Sequence, residues 1–128
     1  MIPAIGIRAC FVPYGASITN LIVNDTLGPE RDIIVGYDNA YGYSSTPVNR
    51  HLGGVTGRYT NRIANASFVM DGTTYNTIKD DGNSTLHSAL ECWNSRNWTL
   101  VAHTTDSITF SIAERGDTDG LLARWGPM

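Results

Sequence analysis

Apolar residues recur at every second position in several short runs of this chain. In Ile108-Thr109-Phe110-Ser111-Ile112 the period of two turns one face toward a core and the other toward water, as in a half-buried strand. Trp98, Leu100 and Ala102 alternate in the same way. The polar Thr104-Thr105-Asp106-Ser107 between the two runs predicts a hairpin. A second hairpin is predicted where Ser67-Phe68-Val69-Met70 and Thr73-Thr74-Tyr75-Asn76 flank Asp71-Gly72, a pair that accepts positive backbone angles at both central positions of a type I′ turn. Ala9 to Val12 and Ser17 to Val23, around Pro13-Tyr14-Gly15, predict two further strands, and Arg31 to Tyr37 predicts another. No helical period is sustained anywhere. The expectation is an all-β chain of antiparallel strands.

Between the strands run two long connections rich in turn-forming residues, Asp38 to Leu52 and Lys79 to Arg96. Connections of this length are often functional loops carried by a rigid sheet, so chemistry is sought there first. Composition narrows the field. A chain of 128 residues, 41% hydrophobic, suits one core of ordinary domain size, and no repeat, low-complexity tract or linker divides it. A net charge of -3 with no run of Lys and Arg argues against nucleic acid as a partner. The longest apolar runs, such as Ile33-Ile34-Val35, fall far below the roughly 20 residues that a membrane-spanning helix needs.

Few polar residues stand out. Asn61 and Arg62 lie just before the Asp71-Gly72 hairpin. Arginine presents a planar fork of donors and asparagine both a donor and an acceptor, a set suited to a ligand with several hydroxyls. The plainer alternative, favoured by the local sequence, is an arginine paired with a surface carboxylate. His87 closes the turn-rich run from Asp80 to Leu86. Its imidazole can donate from one nitrogen and accept at the other, so it can orient a hydroxyl or carry a proton. His51 and His103 receive no role on local grounds. The three histidines and two cysteines share no metal-ligand spacing, so no metal is expected. Gly53, Gly54 and Gly57 lack the Lys-Ser/Thr ending of a phosphate loop, and there is no Gly-x-Ser-x-Gly elbow. Asp80, Asp81, Glu91, Asp117 and Asp119 could supply paired carboxylates, but Asp beside Gly or Asn is ordinary turn chemistry.

Taken together, "YGASITNLIV", "RDIIVGYD", "GRYTNRIANASF", "DGTTYN" and "LHSALECWNSRNW" occur in an order and spacing that resembles the aldose 1-epimerase, or galactose mutarotase, family from about Phe11 to Gly120. The resemblance implies an antiparallel β-supersandwich, incomplete in this chain, with residues 1–128 as the N-terminal portion of a single domain. It implies interconversion of the α- and β-anomers of aldohexoses such as galactose and glucose, with no metal and no organic cofactor. Asn61, Arg62 and His87 stand where the family contacts sugar hydroxyls, so the resemblance makes them substrate-binding residues. It assigns no catalytic residue here, because the family's acid histidine and base glutamate lie further along than Met128. A noncatalytic carbohydrate-binding or vestigial protein is the alternative.

Several departures shape further expectations. Residues 121–128 do not continue the family pattern after "GDTDG". Ser88 and Ala89 stand where two glycines commonly follow the histidine, and Cys92 stands near another usual glycine, which would strain a turn that needs positive backbone angles. Open sheet edges in a partial sandwich imply poor solubility or self-association. Four sequons, at Asn24, Asn65, Asn83 and Asn97, lean toward secretion, with the cytoplasm as the alternative; no leader segment is visible. Cys10 and Cys92 could form one bridge or remain two thiols.

Overall fold

A computed structural model describes residues 2–4, 6–45, 52–89 and 92–113, the first three by backbone alone. His51, Glu91, Asp117, Asp119 and the 121–128 tail lie outside the described residues. Along the chain run β1 (Ile2–Ala4), β2 (Ile7–Val12), β3 (Ser17–Asn24), β4 (Glu30–Asp32), α1 (Ala40–Ser45), β5 (Arg62–Ile63), β6 (Ser67–Met70), β7 (Thr73–Asn76), β8 (Thr85–Leu86), β9 (Thr99–His103) and β10 (Ile108–Ser111). Every pairing among them is antiparallel. Two compact units result, Met1–Val55 with Asn94–Ile112, and Thr56–Trp93 with Ala113–Met128.

The first unit carries a four-stranded meander in the order β1-β2-β3-β4 and the β9–β10 hairpin. The predicted strands Ala9 to Val12 and Ser17 to Val23 are β2 and β3, joined by a turn through Pro13. A bulge follows Cys10, which faces Asn20 while Phe11 faces Ile18. The predicted strand Arg31 to Tyr37 is shorter than its apolar run: pairing ends at Asp32. After one more backbone bond, from the Ile33 N–H to the Leu21 carbonyl at 3.0 Å, the ladder stops, and Asp32 Oδ1 takes the Leu21 N–H at 2.9 Å and the Ile34 N–H at 3.1 Å in place of backbone carbonyls. Beyond it Ile33 and Val35 are exposed. Helix α1 interrupts the first long connection. Its N-cap is Asn39, whose Oδ1 accepts the Gly42 N–H at 3.1 Å, and its Tyr43 is buried with the Tyr37 ring edge-on at 5.0 Å.

The hairpin predicted around residues 104–107 forms, closed by the Thr104 N–H on the Ser107 carbonyl at 2.9 Å. Along Ile108 to Ile112 the expected alternation holds, half-buried then exposed. In β9 it does not: Leu100 and Ala102 are exposed, and only Trp98 is half-buried. The bulge beside Phe110 leaves Val101 without an opposite residue, and Leu100 and Val101 stay 50% and 59% exposed.

In the second unit the Asp71-Gly72 hairpin forms as the sequence predicts, with φ of 50° and 75° at the two turn residues. Phe68 faces Tyr75 across it with stacked rings 5.4 Å apart. Ile63, Ala66, Ala89, Cys92 and the hydroxyl-bearing Thr85 and Ser88 are buried here. Thr85 donates to the Ile78 carbonyl at 2.7 Å and accepts from Thr77, so its buried oxygen is satisfied. Both cysteines are free thiols, Cys10 half-buried and Cys92 buried. The asparagines of all four sequons are exposed.

Two outcomes follow. A β-carbon at Gly72 would meet no atom within 4 Å, so Gly72→Ala tests the left-handed backbone alone. It is expected to lower stability by about 1 kcal/mol, read as a lower urea midpoint with an unchanged slope. Bonds from the Asn20 side chain, the Ile34 amide and the Leu21 amide hold the Asp32 carboxyl below the ordinary aspartate range. The folded value being the lower one, its contribution is fully present above about pH 4 and is lost on acidification through the folded value. Asp32→Asn is expected to flatten the fall of the denaturation midpoint below that pH.

Candidate functional site

Strand β5 follows the period of two: Ile63 is buried and anchors it, which leaves Arg62 exposed. Its partner is β8, from the far end of the second long connection, in the register Arg62 to Leu86 and Ile63 to Thr85. This pairing places His87 beside Asn61. The His87 N–H donates to the Asn61 carbonyl at 3.1 Å, and the Asn61 N–H donates to His87 Nδ1 at 3.0 Å. Because Nδ1 accepts, the neutral ring carries its proton on Nε2, which becomes the donor nitrogen of the imidazole.

Arg62 is oriented from the same connection. Its Nε donates to Asp81 Oδ2 at 2.5 Å, and its Nη1 donates to Asn61 Oδ1 at 3.4 Å. The plainer sequence alternative, an arginine on a surface carboxylate, is therefore what the structure contains. With both side chains well exposed, at 57% and 39%, the pair adds little stability, and its effect is to aim the guanidinium. Asp81 itself sits in a tight turn, exchanging backbone bonds with Ser84 at 3.1 and 3.0 Å. The neighbouring Asp80 accepts the Leu86 N–H through Oδ1 at 2.7 Å. Asp80 and Asp81 are thus both engaged.

All three sequence-predicted binding residues are brought together. Around them the backbone is left-handed at Asn61 (φ 70°) and at three successive residues, His87 (53°), Ser88 (70°) and Ala89 (59°). The sequence pointed to strain at Ser88 and Ala89, and both adopt the positive angles. Three supporting residues were not identified from sequence. Asp81 appeared there only as a turn former. Ser88 accepts the Tyr59 N–H through Oγ at 2.9 Å. Gly57 lies so close to the Trp93 ring that a β-carbon would overlap it, which explains the glycine ahead of the Arg58-to-Arg62 segment.

Elsewhere the first unit holds an open cavity of about 490 Å³ lined in part by Asn20, Asp32, Tyr37, Asp38 and Tyr43, and by none of the predicted binding residues. Asp32 is committed there to Asn20 and two backbone amides. His103 ends β9 and is exposed. Among the described residues no group of three His, Cys, Asp or Glu side chains is placed to hold a metal ion, and no helix is long and apolar enough to cross a membrane.

Residues 3–125 match the aldose 1-epimerase family model. A protein of Arthroderma benhamiae named probable aldose 1-epimerase is 45% identical over 119 residues, and the galactose mutarotase of Bos taurus is 32% identical over 93. These alignments cover 90% and 73% of this chain, which spans 27% of the length of each relative. A crystal structure of a GalM/aldose epimerase homologue from C. elegans superposes with a TM-score of 0.83 at 29% identity, covering 91% of this chain and 35% of the homologue. The antiparallel strands thus have the galactose mutarotase-like fold, and the chain belongs to the aldose 1-epimerase family.

Proposed function

We propose that this chain supplies the sugar-contacting part of an aldose 1-epimerase that interconverts the α- and β-anomers of aldohexoses such as galactose and glucose in hexose metabolism. The observation that carries the reading is the convergence of Asn61, Arg62 and His87, drawn from segments 26 residues apart and joined by direct hydrogen bonds. A hexose presents hydroxyls that both donate and accept. The guanidinium fork, the Asn61 amide and the imidazole Nε2 offer matching partners. Anomer exchange needs a base to take the proton of the anomeric hydroxyl and an acid to protonate the ring oxygen, so that the ring opens, rotates and recloses. In this reading the three residues hold the sugar, and none of them is assigned a proton transfer.

A second reading, sugar binding without turnover, is favoured by one observation. Asp80 and Asp81 are already bonded to Leu86 and Arg62, so neither stands ready as a base beside the cluster. Polarimetry separates the two. Acceleration by this chain of the drift in optical rotation of freshly dissolved α-D-galactose, lost in the Arg62→Ala, His87→Ala double variant, would select turnover and put an acid and a base within these residues. Saturable galactose binding without acceleration, weakened about tenfold or more in the variant, would select the binding reading. No binding and no acceleration by folded chain would overturn both.

The same proposal routes the protein through the secretory pathway, supported by the exposure of Asn24, Asn65, Asn83 and Asn97. Expressed in a eukaryotic secretory host, the chain is expected to lose mass on treatment with peptide-N-glycosidase. An unchanged mass would count against that route.

A further inference from the structure

We propose that Ser88 is the positioning residue of the site: its buried hydroxyl ties the His87 turn to the segment that carries Asn61 and Arg62. The sugar-contact part of this inference rests on the function proposed above; the placement of His87 does not.

Ser88 is an unfavourable choice for its backbone. Its φ of 70° lies in the left-handed region, between His87 at 53° and Ala89 at 59°, where a β-carbon crowds the adjoining carbonyl and glycine alone is unstrained. Strain of this kind persists only where the surroundings fix it. The side chain supplies what glycine lacks. At 3% exposure its Oγ accepts the Tyr59 N–H at 2.9 Å and lies 3.4 Å from the Tyr59 carbonyl.

That bond falls two residues before Asn61, whose N–H and carbonyl both bond to His87. Three short bonds therefore join residues 59–61 to residues 87–88. Of these, only the Ser88 bond uses a side chain that is neither a predicted sugar contact nor exposed. The Ser88 bond and the His87 N–H bond to the Asn61 carbonyl flank the ring on its turn and together set the depth at which the Asn61 N–H meets Nδ1. Ser88 thereby acts on two things, the spacing of His87 from Arg62 and the tautomer of the imidazole. A hydroxyl with a merely structural role would affect neither once the fold is intact.

Ser88→Gly and Ser88→Ala in the full chain separate these possibilities. The glycine variant relieves the left-handed backbone and removes the acceptor; the alanine variant keeps the backbone demand and removes the same acceptor. Nitrogen-15 NMR of the imidazoles, with the His87 signal assigned through His87→Gln, reads the tautomer directly. In the parent, the two His87 nitrogens are expected at the well-separated positions of a ring protonated on Nε2. In folded Ser88→Gly they are expected to move toward each other as both tautomers become populated, with galactose binding about tenfold weaker than in the parent.

A folded glycine variant that keeps the parental His87 signals would overturn the proposal. So would an alanine variant that keeps them. Should the parent bind no galactose at all, the sugar reading falls, and the imidazole signals alone decide the placement.

Discussion

The reciprocal bonds between Asn61 and His87, reinforced by the Ser88 bond to Tyr59, are the constraint on which the second unit depends. Strands β5 and β8 contribute two residues each, too few to hold their own register by ladder bonds. Burial of Ile63 and Thr85 fixes which face of the pair is inward. The clamp immediately beyond then keeps Arg62 opposite Leu86. A slip by one residue would turn Ile63 outward and carry Arg62 into the buried face, so the apolar anchor and the polar clamp specify the same arrangement from opposite sides.

This arrangement requires unusual backbone. Of eight non-glycine residues with positive φ among the described residues, seven lie in the second unit: Asn61, Asn65, Ala66, Asp71, His87, Ser88 and Ala89. Asn and Asp enter that region with little penalty, because their short polar side chains bond locally. The alanines and Ser88 have no such relief, yet Ala66 at 2% and Ser88 at 3% are among the most buried of the described residues. Small buried side chains allow the segments to approach closely, and close approach fixes angles that each residue alone would avoid.

What could be read in the sequence follows from the range of each interaction. The hairpins at residues 67–76 and 99–111 declare themselves because a period of two and a short turn are local properties. Asp71-Gly72 even specifies its turn type. The end of β4 is hidden, since Ile33-Ile34-Val35 continues the strand pattern while the carboxylate of Asp32, reaching back to β3, takes the Leu21 N–H that a longer ladder would use. Helix α1 spans six residues, too few to show a helical period, and its cap at Asn39 came to light only in the structure. The pairing of β5 with β8 spans the 21 residues between Ile63 and Thr85, the β6–β7 hairpin among them, and so lies beyond any local pattern. Asn61, Arg62 and His87 emerged as a set through motifs matched in order, whereas Asp81 and Ser88 required the fold.

The exposed pairing of Arg62 with Asp81 gives the cluster a character that its residue types alone do not suggest. A lone guanidinium attracts anions at long range. Here a carboxylate 2.5 Å from Nε cancels most of that field before any ligand arrives. What remains is directional: donors set at fixed angles with almost no net charge behind them. An anion approaching Arg62 meets the Asp81 carboxylate as well, so the ion pair weakens the pull of the guanidinium on charged groups.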